Sequence, residues 1–317
     1  MNRVKIENME KAKKHSKLIK LTICSLIFIT FAFGNTVAQD TVSSKKDTIN
    51  FVVSGDIFED VNSTDAKAAM VLTLKEMMPN FWDFVGKVDA EVVNSVSEIR
   101  ELLKQNKADV VGLISIDFLE NREAMNLEPV FIIERGSNIG DIYLVVTKNN
   151  RQINSVSDLN SKKILTYETR EGEIVNRWLY VEMRKAGMKN PNAIIDNFTK
   201  ISKASKRIIS VFLEKADACI ISKQQYESMC ELNPQLEQQL KIVCESPSFL
   251  SHVFSRNLSS KKPNIENAGN YALITNTTEQ GSKLLKLFKA ARVKKFENKY
   301  LLALEKMVDN YNKYINE

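Results

Sequence analysis

Short apolar segments alternate with amphipathic segments along most of this 317-residue chain, and this alternation restricts it to an α/β fold. Each apolar run is about five residues long, which is typical of a buried strand, and most are followed by apolar residues at helical spacing. Strands separated by helices favour parallel pairing through right-handed crossovers. The predicted strands are 49–54, 90–93, 110–114, 130–133, 142–147, 163–167, 218–222, 240–245 and 250–254, with a weak one near Ile194 and Ile195.

The helical patterns fall into two groups, separated by a stretch rich in Gly, Ser and Asn at 134–140. We interpret strand 142–147 as a crossing between two lobes and strand 250–254 as the return crossing. The apolar residues after Gly281 recur at helical spacing, which predicts two helices or one bent helix packed on the first lobe. The other predicted helices are 65–78, 95–105, 117–125, 171–186, 203–215 and 224–231.

The N-terminus has the layout of a secretory signal, in which basic residues up to Lys20 lead into the apolar run 21–33. That run is too short to span a bilayer, and the small residues at 36–38 predict cleavage after Ala38 and export to the periplasm or beyond. Cys24 lies inside the apolar run, so a lipoprotein anchor is the weaker alternative.

Removal of the predicted signal leaves 279 residues, more than one hydrophobic core usually supports. The predicted organisation is therefore a signal peptide at 1–38, lobe 1 at 39–140, lobe 2 at 141–247 and a return to lobe 1 at 248–317. The first 38 residues hold seven of the Lys and Arg and two of the Asp and Glu, so the formal charge falls from +6 to +1. A nearly neutral chain gives no reason to expect nucleic acid or an acidic membrane surface as partner.

The sequence offers little material for catalysis. His252 is the one histidine after the signal, which excludes the usual multi-histidine metal sites, and no glycine-rich phosphate loop or nucleophile elbow is visible. We therefore predict no enzyme, cofactor or metal; an enzyme on this fold stays an alternative that requires an acid–base pair beside a cysteine. Cys219, Cys230 and Cys244 allow at most one disulfide, and buried thiols are the favoured alternative.

Polar residues at the carboxyl ends of the predicted strands are the candidate ligand contacts, because ligands of open α/β sheets collect there. The Ser and Thr residues have an alternative role as helix caps, and Asp56, Asp117 and Glu171 as first-turn acids. The candidates are Ser54, Asp56, Ser115, Asp117 and Phe118 in lobe 1, and Glu168, Thr169, Arg170, Glu171, Gly172, Ser202, Lys203 and Ser205 in lobe 2.

Three segments carry a resemblance to a known family: IRELLKQNKADVVGLI at 99–114, SDLNSKKILTY at 157–167 and VFLEKADACII at 211–221. They resemble the periplasmic substrate-binding proteins of phosphate, phosphite and phosphonate ABC transporters, the PhnD-like group. The resemblance implies a type II periplasmic-binding-protein fold of two α/β lobes with two hinge crossings. It also implies hinge closure on a small-molecule solute and delivery to a membrane permease, by a protein that we expect to be a monomer.

In that family a Ser-Thr-Ser-Gly-like turn grips the phosphonate, and the corresponding residues 168–172 keep only Thr169 and Gly172. Phe118 and the stretch 202–205 stand where the family has a tyrosine and a histidine. A carboxylate such as Glu171 at a helix start repels a dianion, so we expect a small polar or zwitterionic solute. The alternative is a ligand-sensing or interaction protein of the same fold, with a degenerate cleft, that acts on a sensor kinase.

Overall fold

The computed structural model describes residues 47–58, 63–77, 85–135, 139–287 and 290–317, so the predicted signal peptide lies outside the described residues. Two mixed sheets with helices packed on them confirm the predicted α/β class. The strands are β1 Asp47–Ser54, β2 Val85–Val93, β3 Val110–Ile114, β4 Leu127–Glu134, β5 Tyr143–Lys148, β6 Ile164–Thr166, β7 Thr199–Lys200, β8 Ala218–Ser222, β9 Leu240–Glu245, β10 His252–Asn257 and β11 Arg292–Lys295.

The α-helices connect these strands, and short 3-10 turns lie between several of them. Among the described residues, none of the helices combines the length and the apolar character needed to cross a membrane. The helices are α1 Ser63–Met77, α2 Val96–Lys104, α3 Ser115–Asn121, α4 Gly172–Lys185, α5 Asn192–Ile195, α6 Ala204–Phe212, α7 Lys223–Leu232, α8 Gln235–Gln239, α9 Ala268–Ala272, α10 Glu279–Leu287 and α11 Leu302–Ile315.

The first sheet has the strand order β11-β4-β10-β3-β1-β2. Strand β1 pairs in parallel with β2 and β3, as the strand–helix alternation predicts, but β10 lies antiparallel between β3 and β4. Every residue of β3 is buried, because the sheet is covered on both faces. Gly112 of β3 leaves room for Phe254 of β10, whose ring lies 2.8 Å from where a β-carbon on Gly112 would stand.

The second sheet has the strand order β7-β6-β8-β5-β9, with β5 antiparallel to both of its neighbours. The interpretation of 142–147 as a crossing is therefore wrong: its continuous apolar character reflects burial on both faces of a central strand. The weak strand predicted near Ile194 and Ile195 is also wrong. Pro191 caps the short helix α5 there, and the edge strand is β7 at 199–200.

The chain crosses between the two sheets in two neighbouring segments, which pair with each other. Asp141 and Phe249 exchange two backbone hydrogen bonds, of 2.7 Å and 2.9 Å, and the Ser251 hydroxyl donates to the Asp141 carboxylate. Gly140 has a φ of +87°, and a β-carbon there would lie 2.3 Å from the Phe249 carbonyl oxygen, so only glycine fits. The return crossing thus ends before β10, and the interpretation of 250–254 as that crossing is wrong for its last three residues.

The C-terminal helices pack on different parts of the molecule. Helix α10 packs on α1 beside the first sheet, as predicted, but α11 packs on α4 of the second sheet, so the prediction that both pad the first lobe is wrong. The Tyr311 ring meets the Tyr180 ring edge to face at 5.1 Å, and the Arg177 guanidinium lies 5.1 Å from the Tyr311 ring centre. Helix α11 also contacts the part of the chain that follows α3, through an ion pair of Glu305 with Arg122 at 3.2 Å.

The three cysteines of the described residues, Cys219, Cys230 and Cys244, are free thiols. Cys219 is fully buried in β8, and burial raises its pKa to about 12, so this thiol stays protonated at neutral pH. Burial likewise raises the pKa of Cys244 in β9 to about 12. Neither has the lowered pKa of a reactive cysteine.

Replacing Tyr311 by alanine tests the packing of α11. We expect Tyr311→Ala to lower the free energy of unfolding by about 1–2 kcal/mol, because it removes an aromatic pair and a cation–π contact. Urea unfolding monitored by circular dichroism measures the change. Leu302→Ala in the same helix is the control, since Leu302 is exposed; equal losses in the two variants would contradict the assigned role of Tyr311.

Candidate functional site

The carboxyl ends of β1, β3 and β6 meet at the junction of the two sheets, and Arg170 is the residue that joins them. Its Nε donates to Asp117 Oδ1 at 2.8 Å, and its backbone N–H donates to Asp56 Oδ1 at 3.3 Å. Its guanidinium also lies 3.5 Å from Glu120. Acids that follow strands of the first sheet therefore hold an arginine that follows β6 of the second sheet.

A second ion pair joins α3 and α4 beside this contact. Arg177 of α4 donates a hydrogen bond to Glu120 of α3. Asp117 and Glu120 are three residues apart on α3, which places both carboxylates on one helix face. We call Arg170, Arg177, Asp117 and Glu120 the cross-sheet ion cluster.

Asp117 is the most deeply buried member of this cluster, with 1% of its surface exposed. Its Oδ1 accepts from Arg170, whereas its buried Oδ2 has no hydrogen-bond partner in the described part of the chain. Burial raises the pKa of this carboxyl, and the hydrogen bond and charge of Arg170 oppose the rise. The Asp117 carboxylate thus keeps an acceptor available at the junction.

A second buried carboxylate stands at the start of α4. Glu171 is 3% exposed and accepts a hydrogen bond of 2.6 Å from the hydroxyl of Tyr143, which lies at the start of β5. Burial, and next the negative charge of Glu171, raise the pKa of Tyr143 well above its ordinary value, so Tyr143 remains a donor. The acid occupies the end of α4 at which the helix dipole favours negative charge.

The remaining candidates of the first sheet have structural contacts. The Ser54 side chain accepts from the backbone N–H of Asp56 at 3.4 Å and caps a 3-10 turn. The Ser115 hydroxyl donates to the Leu250 carbonyl and ties α3 to the return crossing. Phe118 is fully buried in the core.

Among the candidates that follow β6, Glu168 is exposed, and Thr169 has a buried hydroxyl without a hydrogen-bond partner. Gly172 opens α4, and a β-carbon there would lie 3.0 Å from the Tyr167 carbonyl oxygen, so glycine allows α4 to approach the end of the strand. The structure therefore brings Asp56, Asp117 and Arg170 together at the junction, whereas the Glu171 side chain binds Tyr143.

The loop at 202–205 follows β7 and is fixed from within by Arg207. Arg207, fully enclosed, donates to the carbonyls of Ile201 at 2.7 Å and Ser202 at 3.0 Å, and its guanidinium lies 3.9 Å from the centre of the Tyr167 ring. Lys203 is the N-cap residue of α6, and Ser205 lies in its first turn. The Lys203 side chain makes no capping hydrogen bond there.

Sequence reasoning missed Glu120, Tyr143, Arg177 and Arg207. The first and third could have been found from helical spacing, since Glu120 follows Asp117 by three residues and Arg177 follows Glu173 by four. Tyr143 and Arg207 gave no such signal, because their partners are distant in the sequence.

His252 lies in β10 with 2% of its surface exposed, and neither ring nitrogen has a hydrogen-bond partner in the described residues. Burial, and next the positive charge of Arg135, lower its pKa well below the ordinary value, so the ring is neutral. No group of His, Cys, Asp and Glu side chains that could hold a metal ion occurs among the described residues.

Comparison with known proteins identifies one matching family model, described as the periplasmic substrate-binding protein of the phosphonate ABC transporter, over residues 85–301. No curated protein sequence matches the chain.

Several solved structures share the fold. A binding protein component of an ABC phosphonate transporter from Pseudomonas aeruginosa is 14% identical with a TM-score of 0.61, over 85% of this chain and 88% of that one. XAC2383 from Xanthomonas citri, solved bound to ATP, is 11% identical with a TM-score of 0.63, over 85% and 98%. PhnD1 from Prochlorococcus marinus, in complex with methylphosphonate, is 15% identical with a TM-score of 0.57, over 84% and 98%. At these identities the likeness concerns the fold.

Replacing Asp117 by asparagine tests the electrostatics of the junction. A raised pKa means that the Asp117 carboxyl binds its proton more tightly in the folded chain than in the unfolded chain. The charged form of Asp117 therefore destabilises the fold at neutral pH. We expect Asp117→Asn to keep or raise the melting temperature at pH 7, as measured by differential scanning calorimetry.

Asp158→Asn is the matched control of opposite sign. Backbone N–H groups of Asn154 and Ser155, each at 2.9 Å, lower the pKa of Asp158, so the fold favours its charged form. This variant should melt at a lower temperature than the wild-type chain. A large loss of stability in Asp117→Asn would show that the pair with Arg170 outweighs the cost of burial.

The neutral His252 predicts a loss of stability in mild acid. Above the ordinary histidine pKa of about 6.5, His252 is neutral in both the folded and the unfolded chain. Below it, the imidazole is protonated in the unfolded chain but stays neutral in the folded chain. Stability should therefore fall as the pH drops below 6.5, by up to about 1.4 kcal/mol per pH unit from this group. Urea unfolding of the wild type and His252→Gln between pH 7.5 and 5.5 measures the difference, and parallel curves would contradict the prediction.

Proposed function

The chain belongs to the family of periplasmic substrate-binding proteins of phosphonate ABC transporters, and from this premise we propose that it captures a small polar or zwitterionic solute at the cross-sheet ion cluster. Proteins of this family are the solute-binding components of transporters that include a membrane permease, and they are not enzymes. Their type II fold is the two-sheet α/β architecture described above.

The single observation that carries the proposal is the position of Arg170. Arg170 follows β6 of the second sheet. Its Nε donates a hydrogen bond to Asp117, which follows β3 of the first sheet. A solute that enters between these two groups meets a cation on one side and, on the other, a carboxylate with an unpartnered oxygen. A carboxylate or other monoanionic group of the solute would pair with the Arg170 guanidinium, and a hydrogen-bond donor of the solute would donate to Asp117 Oδ2.

The charges around Arg170 disfavour a bare phosphonate dianion. The backbone N–H of Arg170, which could serve an anion at the start of α4, already donates to Asp56. The Glu171 side chain is buried at the same helix start, and like charges disfavour each other there. The ligand named for PhnD1, methylphosphonate, is therefore not the solute that we propose for this chain.

Capture requires the two sheets to separate and close again. We propose two lobes, the first at 39–140 with a return of the chain from residue 248 and the second at 141–247. We also propose a hinge at the paired crossings and export by a signal peptide cleaved after Ala38. The cross-sheet ion cluster forms only when the two sheets are close, so the conformation described above corresponds to the closed state. We propose that this closed monomer is the form that a permease recognises.

A second candidate function is a ligand-sensing or interaction protein of the same fold that acts on a sensor kinase. The observation in its favour is that Asp117 and Glu120 already bind Arg170 and Arg177, so the chain closes the junction with its own side chains. Such a protein would bind no small solute at Arg170, and its outer surface would carry the recognition.

A thermal-shift screen of the exported chain against carboxylates, amino acids and phosphonates separates the two functions. A bound solute at a hundred times its Kd adds about 2.7 kcal/mol, which raises the melting temperature by about 5–10 °C. We expect carboxylates or amino acids to give this shift and phosphonates to give none. Shifts by phosphonates alone would contradict the proposed solute class, and no shift with any compound would favour the sensing function.

Arg170→Gln should abolish the shift, because it removes the guanidinium that receives the solute. Arg184→Gln is the matched control: Arg184 is also on α4, but it pairs with Glu317 at 3.2 Å and stacks on Tyr314 in α11, away from the junction. The control should keep the full shift.

A further inference from the structure

Two ion pairs at the junction connect the region of α3 to helices on the second-sheet side. Arg177 of α4 donates a hydrogen bond to Glu120 of α3, and Arg122, directly after α3, pairs with Glu305 of α11 at 3.2 Å. Because α11 packs on α4, both pairs join the two sides of the junction. The arginine belongs to the second-sheet side in the first pair and to the first-sheet side in the second pair.

Each of these arginines is held in place by an aromatic ring of its own side. The Arg177 guanidinium lies 5.1 Å from the centre of the Tyr311 ring, and the Arg122 guanidinium lies 5.9 Å from the centre of the Phe118 ring. Exposed ion pairs are usually weak, partly because two long side chains lose rotational freedom when they pair. A guanidinium that already stacks on a ring loses less freedom. The two rings therefore position both cations for acids across the junction.

The four side chains of these ion pairs are open to dissolved ions. The exposed fractions are 16% for Arg177 and 36% for Glu120 in the first pair, and 40% for Arg122 and 34% for Glu305 in the second. Salt screens attraction between charges that solvent reaches, and it acts much less on buried pairs. The buried Asp117, which pairs with Arg170, is 1% exposed. Salt should therefore weaken the two exposed pairs before it weakens the pair at the proposed solute site.

The neighbouring charges leave the attraction across the junction in place. Three further charged residues line one cavity together with Arg177: Glu173, Asp196 and Lys200. All three belong to the second-sheet side, so they stay near Arg177 when the sheets separate. Asp117 repels Glu120 from the same helix, and this repulsion also persists when the sheets separate. Arg170 adds to the attraction across the junction, since its guanidinium lies 3.5 Å from Glu120.

We propose that Glu120, Arg122, Arg177 and Glu305 form a junction latch, which favours the closed state with or without a bound solute. This inference rests on the hinge closure of the proposed function and adds its regulation: the chain's own charges, at a given ionic strength, set the balance between open and closed molecules. The affinity for a solute that closes the lobes includes the free energy of closing. The latch therefore raises that affinity, and salt lowers it.

A distance measurement across the junction, without added solute, tests the latch. Spin labels are placed at the exposed positions Ser97 of α2 and Ser228 of α7, one on each side. Non-natural side chains carry the labels, so the native thiols stay unmodified, and pulsed electron-spin resonance resolves short from long distances. The salt concentration is raised from about 0.01 M to about 1 M, which shortens the screening length from about 30 Å to about 3 Å. We expect the closed fraction of the exported wild-type chain to fall over this range.

Glu120→Gln and Arg122→Gln each remove one ion pair of the latch. Each should lower the ratio of closed to open molecules about twofold to fivefold at low salt, which is the effect of one partly exposed ion pair. Each should also reduce the salt dependence. Glu123→Gln is the matched control, because Glu123 is exposed, lies two residues beyond the end of α3 and belongs to neither pair. It should leave the ratio unchanged, and equal effects of Glu120→Gln and Glu123→Gln would overturn the proposal.

The same distances distinguish failure of the latch from failure of the proposed function. Two distances whose ratio responds neither to salt nor to Glu120→Gln and Arg122→Gln would overturn the latch and leave hinge closure standing. A single long distance at every salt concentration would also overturn the latch, because the closed state would then not be favoured. A single short distance that persists in Arg170→Gln and in both latch variants would overturn the latch and the hinge closure together, since the sheets would then not separate.

Discussion

The paired crossings between the two sheets are the constraint on which the rest of the structure depends. Asp141 and Phe249 bind each other through two backbone hydrogen bonds, and Gly140 permits their close approach because it has no side chain. In the proposed closure, these two segments, held side by side, are the line about which the sheets rotate. The strand ends beside these crossings must then face each other, which is why Asp117 and Arg170 meet although they are 53 positions apart in the sequence.

The charges at that junction determine which solutes it can hold. A buried ion pair contributes little net stability, because desolvation of both charges offsets their attraction. The pair of Asp117 and Arg170 therefore costs little to replace with a solute that brings charges of both signs. A bare dianion brings no positive charge, so it would bind Arg170 and leave the buried Asp117 without the cation that now pairs with it. The proposed solute class thus differs from the ligand in the family's description, whereas the fold agrees with it.

The sequence predicted the fold class and most elements, since a strand such as β3 and a helix such as α2 carry their own periodicity. It predicted strands at 142–147 and 250–254 but wrongly interpreted them as crossings, because a strand inserted antiparallel between others looks, in sequence, like any apolar run. In the site, Asp56, Asp117 and Arg170 were predicted from their places after strands. Tyr143 was not, because the group that it contacts, Glu171, comes close only through the fold.

The C-terminal helix adds a third connection between the two sheets, and its contacts bear on how the molecule opens. Strand β11 pairs within the first sheet, whereas α11 packs on α4 of the second, so the residues 296–301 between them span the two parts. The contact of Glu305 with Arg122 is partly exposed, and such ion pairs contribute little. The aromatic contact of Tyr311 with Tyr180 is stronger and lies wholly on the second-sheet side. When the sheets separate, α11 should therefore move with α4, and the chain should bend at 296–301 as well as at the paired crossings.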